Sequence, residues 1–178
     1  VDLKPINAVQ LELLLEQMVT LLQDVVDGGA SVGFLPPLSK QEAETYWLGV
    51  RSAIQGPHKL LWVALEGGKV TGTVQLNLEG RANGLHRAEV AKLMTHSAHR
   101  RKGIATALME AVEAEARRLG RTTLVLDTLE GQGAERLYLS LGWQRAGVIP
   151  QYVRWQGGKL YGTVVMYKLL PRLEVTER

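Results

Sequence analysis

Leu11, Leu14, Leu15, Met18, Leu22, Val25 and Val26 recur at helical spacing and predict a first helix. It should end at Gly28-Gly29, where a left-handed cap is least strained. The segment A-S-V-G-F-L-P-P reads as an irregular loop. Ser39, with Glu42 three residues on, forms a capping box opening a second helix. Its apolar stripe is Ala43, Tyr46, Trp47, Val50 and Ile54, and Gly56-Pro57 stops it. The period then changes from helical to two. Leu60–Glu66 and Val70–Leu78 flank Gly67-Gly68, predicting a hairpin. In its second strand Val70, Val74, Leu76 and Leu78 alternate with Thr71, Thr73, Gln75 and Asn77, so one face should be buried and the other wetter.

Ala88–Thr95 reads as the next strand. Ile104, Ala107, Leu108, Ala111, Val112 and Leu119 mark a long helix closed by Gly120. Thr122–Leu126 is a nearly continuous apolar run, as expected of a strand covered on both faces. Ala134, Leu137, Tyr138 and Leu141 define a short helix ending at Gly142. Two final strands are predicted near Trp143–Val148 and Leu160–Leu169, joined by a P-Q-Y-V-R-W-Q-G-G connection. The order is two helices, three strands, helix, strand, helix, two strands. It predicts one α/β domain over residues 1–178, with a mixed twisted sheet flanked by helices.

Hydrophobic residues make up 46% of the chain and charged residues 22%, a balance that fits a globular protein. There is no cysteine, which excludes thiolate metal sites and cysteine nucleophiles. No His spacing suits zinc, and no metal is expected. V-D-L-K-P-I-N lacks the apolar core of a signal peptide, and no run approaches the ~20 apolar residues of a membrane helix. A cytoplasmic protein without a membrane partner is therefore the expectation. The formal charge is only +3, and the basic residues are dispersed except at Arg100-Arg101-Lys102. A cluster that short is a poor footprint for nucleic acid and a good size for one polyanionic small ligand.

That cluster sits where a strand gives way to a helix. A helix start leaves about four backbone N–H groups without partners, and its dipole favours negative charge. No Ser, Thr, Asp or Asn stands just before Gly103 to absorb those donors. Arg100, Arg101 and Lys102 precede Gly103, and Ile104, small Ala105 and Thr106 follow. This composition suits a pyrophosphate, although a helix that merely begins with solvated basic residues has the same composition. Neither the P-loop nor the G-x-G-x-x-G pattern is present.

Arg100–Ala105 resembles the Arg/Gln-x-x-Gly-x-Gly/Ala loop with which GNAT acetyltransferases wrap the coenzyme A pyrophosphate. E-R-L-Y-L-S-L-G-W-Q-R-A-G, Glu135 to Gly147, resembles the family's short helix with Tyr, followed by Leu-Gly-aromatic and a closing strand. Within the family, G-G-A-S-V-G-F, N-G-L-H-R-A-E-V-A-K-L-M and L-D-T-L-E-G are similar to stretches of the tabtoxin-resistance acetyltransferases, which acetylate the amine of a β-lactam phytotoxin. The Pro36-Pro37 loop and the Q-Y-V-R-W-Q-G-G-K connection depart from that pattern, and Val1–Ile6 barely represents the family's first strand.

The resemblance implies an acetyl-CoA-dependent N-acetyltransferase acting by direct attack on the thioester, with a small-molecule amine, antibiotic- or toxin-like, as acceptor. It implies Tyr138 as the general acid at the coenzyme A sulfur and Asp127, at the end of its strand, as the base. Glu89 is the reserve base, and its plainer role is an ion pair with Arg87 or Lys92. Leu93, Met94 and Thr95 should offer a splayed strand edge to the pantetheine and approach the acetyl group. Phe34, Tyr152 and Trp155 are candidates for the acceptor pocket, whereas His96 and His99 read as solvated loop residues. A homodimer is the expected assembly. The alternatives are a protein or peptide N-acetyltransferase and a non-catalytic acyl-CoA-binding regulatory module.

Overall fold

The computed structural model describes residues 1–171, and residues 172–178 of the expected domain lie outside the described residues. The elements, in chain order, are β1 (Asp2–Pro5), α1 (Ala8–Asp27), α2 (Lys40–Ala53), β2 (Lys59–Glu66), β3 (Lys69–Leu78) and β4 (Arg87–Thr95). There follow α3 (Ile104–Arg118), β5 (Thr123–Leu129), α4 (Gly133–Ser140), β6 (Gln144–Trp155) and β7 (Lys159–Leu169). Among the described residues, seven strands form one sheet in the order β1-β2-β3-β4-β5-β7-β6. Every neighbouring pair is antiparallel except β4 and β5, which run parallel because α3 carries the chain back between them.

Local signals place most of the boundaries. Asn7 and Ser39 each close a capping box, with Gln10 and Glu42 respectively. Gly29, beyond the α1 cap, takes the left-handed conformation at φ 87°. Two apolar layers sandwich the sheet. Ile104, Leu108, Val112 and Ala116 of α3 cover Trp62, Val74, Val90 and Leu124 on one face. Leu11, Met18, Leu22, Ala43, Trp47 and Val50 of α1 and α2 cover Leu61, Val63 and Met94 on the other.

That second layer corrects the expectation of a wet face on β3. Thr71, Thr73 and Gln75 are as buried as their apolar neighbours. The threonine hydroxyls donate to carbonyls of β2, Thr71 to Ala64 at 3.2 Å and Thr73 to Trp62 at 2.8 Å. β5 departs in the other direction. It runs on to Leu129, with Leu124 and Leu126 buried on one face. On the other Val125 is half-buried, Asp127 exposed and Leu129 buried again, so that second face is open at Asp127 rather than covered throughout. Asp127 therefore lies inside the strand, opposite Val165, and does not end it. The connection expected after Val148 is strand as far as Trp155, and the turn is confined to Gln156–Gly158. Asp2–Pro5 adds an edge strand against β2.

Behind the sheet lies a buried carboxylate. Glu113 of α3 is 5% exposed. It accepts from the Trp143 indole at 3.0 Å and from Lys168 Nζ at 2.7 Å, tying α3 to the start of β6 and to β7. A charge in that position is tolerable only with such donors.

At Gly72, β3 has no room for a side chain beneath α3. A Cβ there would lie 2.9 Å from the Met94 carbonyl oxygen, 3.0 Å from Ile104 Cγ2 and 3.1 Å from Leu108 Cδ1. Gly72→Ala should therefore destabilise the fold by about 1–3 kcal/mol through overpacking. Urea unfolding followed by circular dichroism measures this, and an unchanged midpoint would show that the helix shifts without strain.

Candidate active site

β4 and β5 pair over three residues only, Arg87↔Thr123, Ala88↔Leu124 and Glu89↔Val125. Beyond them β4 stays bonded to β3 as far as Thr95, and β5 stays bonded to β7 as far as Leu129. The facing edges thus continue without each other, and their backbone groups are left for water or a ligand. β4 is also bulged, because Thr73 pairs with Met94 and Gln75 with Ala91, giving three steps on β4 against two on β3. Lys92 lies in the bulge at φ 54°, in the left-handed region.

At the far end of β4 the chain turns through Ser97–His99 into the basic cluster and α3. Gly103 caps α3 at φ 77° with no side-chain cap, and a Cβ there would meet nothing within 4 Å. The first-turn N–H groups are therefore free to meet an anion. A concavity of about 240 Å³ opens there. Of the expected residues, Thr95, Arg100, Arg101 and Gly103 through Thr106 line it, joined by His99 and Leu137. The Thr95 hydroxyl oxygen is buried and has no partner among the described residues. Leu93 and Met94 do not line the concavity. Met94 packs among α1 and α2, and Leu93 against the α3 layer.

The three basic residues have different surroundings. Arg100 reaches toward α1, its Nη2 3.6 Å from where a Cβ on Gly28 would stand. Lys102 lies 3.7 Å from the Glu66 carboxylate, outside the concavity. Arg101 is exposed, at φ 61°, and has no ion-pair partner among the described residues. The loop is fastened from outside. Asp24 of α1 accepts from the Ser97 amide at 2.7 Å and the Ser97 hydroxyl at 2.6 Å. Burial raises the Asp24 pKa, but those two bonds, with His96 and Arg100, outweigh it and hold the carboxyl below its ordinary range. His99 is not a merely solvated loop residue. Its Nδ1 lies 2.7 Å from Glu66, and the ring lines the concavity.

Tyr138 of α4 is 7% exposed, with its ring 6.1 Å from that of Trp143. Its hydroxyl has no hydrogen-bond partner among the described residues. Burial, and secondarily the Asp127 charge, push its pKa up to about 12. Asp127 is held by Thr163, whose single hydroxyl proton is shared between Asp127 Oδ2 at 2.9 Å and the Thr128 carbonyl at 3.0 Å. Glu89 accepts from Asn77 at 3.2 Å. It forms no ion pair with Arg87, which pairs with Glu79 at 3.0 Å, nor with Lys92. Behind Asn77, Lys59 donates to the Asn77 and Gln75 side-chain oxygens, and Gln75 donates to the Tyr46 hydroxyl at 2.7 Å.

The aromatic candidates are not gathered together. Phe34 is half-buried, its ring edge-on to Tyr46 at 5.3 Å. Tyr152 is 57% exposed on β6. Trp155 is buried against Tyr161 at 5.3 Å, and its indole nitrogen has no partner among the described residues. Sequence reasoning missed Asp24, Glu66 and Thr163, which act across long sequence separations and carry no local signal. Among the described residues no three His, Asp or Glu side chains are placed to hold a metal, and no helix is long and apolar enough to cross a membrane.

Comparison with known proteins agrees with this geometry. The family model described as "Acetyltransferase (GNAT) family" matches residues 27–143. N-acetyltransferase 8 of Rattus norvegicus is 42% identical over 88 residues, 48% of this chain and 40% of the rat protein, so the match spans less than half of that relative. An uncharacterized N-acetyltransferase encoded in the hisH-hisA intergenic region of Azospirillum brasilense is 29% identical over 155 residues, 85% of this chain and 90% of the relative. Among solved structures, a ribosomal-protein-alanine N-acetyltransferase from Brucella melitensis superposes with TM-score 0.75 at 21% identity, covering 96% of this chain and 100% of that one. The yncA protein of Salmonella typhimurium, solved with its cofactor acetyl-CoA, gives 0.73 at 19% identity, covering 99% and 97%. These structural likenesses speak for the fold.

The raised tyrosine pKa has a signed consequence. Tyr138 and Tyr46, both at about 12 when folded against an ordinary 10, keep protons that the unfolded chain releases from about pH 10 upward. Stability should therefore fall as pH rises from about 10 to about 12. Urea midpoints across that range should decline, and less steeply in Tyr138→Phe.

Proposed function

This chain belongs to the GNAT acetyltransferase family, and from that premise we propose that it moves an acetyl group from acetyl-CoA to the amine of a small molecule by direct attack. The observation that carries the reading is the uncapped start of α3 at Gly103, beside strands that part after Glu89 and Val125. The donor set fits the cofactor. Free first-turn N–H groups and Arg101 suit the pyrophosphate, and the open β4 edge through Leu93–Thr95 suits the pantetheine amides. Acetyl-CoA supplies the activated acyl carbon.

In the transfer the amine nitrogen forms the new C–N bond and the thioester C–S bond breaks. Asp127, kept in place by Thr163, takes the amine proton, with Glu89 as the reserve base. Tyr138 gives its hydroxyl proton to the departing sulfur. A hydroxyl with pKa about 12 stays protonated at neutral pH and is available as that donor. Exchange with water returns both groups to their starting states. Toxin- or antibiotic-like amines are the first acceptors to examine, on the motif resemblance. A peptide amine is the competing acceptor, and a non-catalytic module is disfavoured by the unpartnered Tyr138 hydroxyl.

Thiol release from acetyl-CoA, screened across small amines, peptides and aminated antibiotics, tests the reading. Tyr138→Phe should lower kcat by about 10²-fold or more, with acetyl-CoA affinity by calorimetry close to wild type. Unchanged turnover would remove Tyr138 from the mechanism, and release with peptides alone would replace the small-molecule acceptor.

A further inference from the structure

The acceptor side of the cleft carries four charged side chains, and one of them stands apart. Asp127 is held by Thr163, Glu89 by Asn77, and Lys59 by the oxygens of Gln75 and Asn77. Lys92 has neither a hydrogen bond nor an ion pair among the described residues, although it is only half-exposed. Its ammonium lies against the loop between α1 and α2, 3.2 Å from where a Cβ on Gly33 would stand. Gly33 itself is at φ 94°, so the loop backbone comes close to the lysine where any other residue would both strain and crowd it.

The backbone at Lys92 is itself unusual. A non-glycine residue at φ 54° inside a strand is strained, and such strain persists where the surrounding structure fixes it, often at a functional site. The bulge takes Lys92 out of the ladder just before the strand edge offered to the thioester. Glu89 precedes Lys92 by three residues on β4, and the parallel register Glu89↔Val125, carried two residues on, brings Asp127 level with Ala91 across the gap. Burial pushes the Lys92 pKa down, while Asp127 and then Glu89 push it back up. Of the two cations Lys59 is already bonded to Gln75 and Asn77, so Lys92 is the one left open beside two anions, each fixed by a neutral side chain. A ligand complementary to that arrangement carries opposite charges a short distance apart.

Resting on the acetyl-transfer reading, we propose that the acceptor is a free amino-carboxylate, an α-amino acid or close analogue, whose carboxylate binds the Lys92 ammonium while its amine faces Asp127 and Glu89. A peptide N-terminus has an amide where this acceptor has a carboxylate and lacks the second charge. Lys92 is thus a specificity residue, and the proton transfers stay with the groups already assigned.

The experiment compares thiol release with L-phenylalanine, L-methionine and L-glutamine against the same compounds as carboxamides and as decarboxylated amines. It uses wild type, Lys92→Met and Lys92→Arg, with acetyl-CoA binding by calorimetry confirming that each variant is folded. Wild type should favour the amino acids by about tenfold or more in kcat/KM, the scale of a charge-assisted hydrogen bond. The preference should arise in KM, collapse in Lys92→Met and survive largely in Lys92→Arg. Equal use of the two series by wild type, use of amides and amines alone, or an undiminished preference in Lys92→Met would overturn the inference and leave acetyl transfer standing. Release with none of these compounds, while peptides or other amines are acetylated, would also overturn it alone. Release with no acceptor at all, despite bound acetyl-CoA, would defeat the transfer reading and this inference together.

Discussion

The architecture depends on a sheet that opens along its middle. After Val125 the β5 edge has no neighbour on the β4 side among the described residues, although both strands remain anchored on their outer sides. An unbonded pair of edges is normally a defect, since each bare amide and carbonyl demands a partner. Here the outer ladders, β2–β3 on one flank and β7–β6 on the other, keep the two halves rigid while they separate. α3 begins just beyond the end of β4, and its first turn lines the same concavity as Thr95, so its unpaired amide groups face the space at the end of that bare strand edge. The gap and the anion loop are thus one feature, because the helix that makes the parallel connection possible also supplies its positive end.

The two helical layers make this opening compatible with a stable domain. α3 seals the sheet on one face, and its closeness to β3 at Gly72 fixes the position of the loop before it. α1 and α2 seal the other face, and Asp24 reaches from α1 to hold the Ser97 turn. The anion loop is therefore set by contacts from both layers rather than by its own residues. This explains why two of its three basic side chains are turned toward neighbours while Arg101 stays free.

Much of this was legible in the sequence because it is written locally. The capping box of Ser39 with Glu42, the Gly67-Gly68 hairpin and the uncapped approach to Gly103 are short-range signals that tertiary context did not override. The misread elements share another cause. The alternation on β3 suggested water on its polar face, yet a threonine hydroxyl can be satisfied by the carbonyl of the next strand and then buried, as Thr71 and Thr73 are. Asp127 looked like a strand end because the apolar run stops before it, yet the strand continues with that side chain exposed and bonded to Thr163, 36 residues away in sequence. Glu66 with His99 likewise arises from pairing between distant segments, whereas the extension of β6 to Trp155 is a local hairpin, Trp155↔Lys159, whose turn is confined to Gln156–Gly158.

The buried carboxylate behind the sheet bears on how this chain can vary over time. Glu113 of α3 accepts from Trp143, just before β6, and from Lys168 of β7, with Arg117 3.8 Å from the same carboxylate. Changing Glu113 alone leaves the Trp143 indole N–H without its acceptor, and changing Trp143 or Lys168 alone takes a donor from a buried carboxylate, whereas an apolar trio of similar volume avoids both costs. Both ends of that route are sound and each single step between them is worse, so the effects of the three positions are strongly non-additive. Sequence drift in this region is therefore held in place by the depth of an intermediate valley rather than by the quality of the arrangement itself. Because Trp143 packs beside Tyr138, the same valley shelters the wall of the cleft from gradual change.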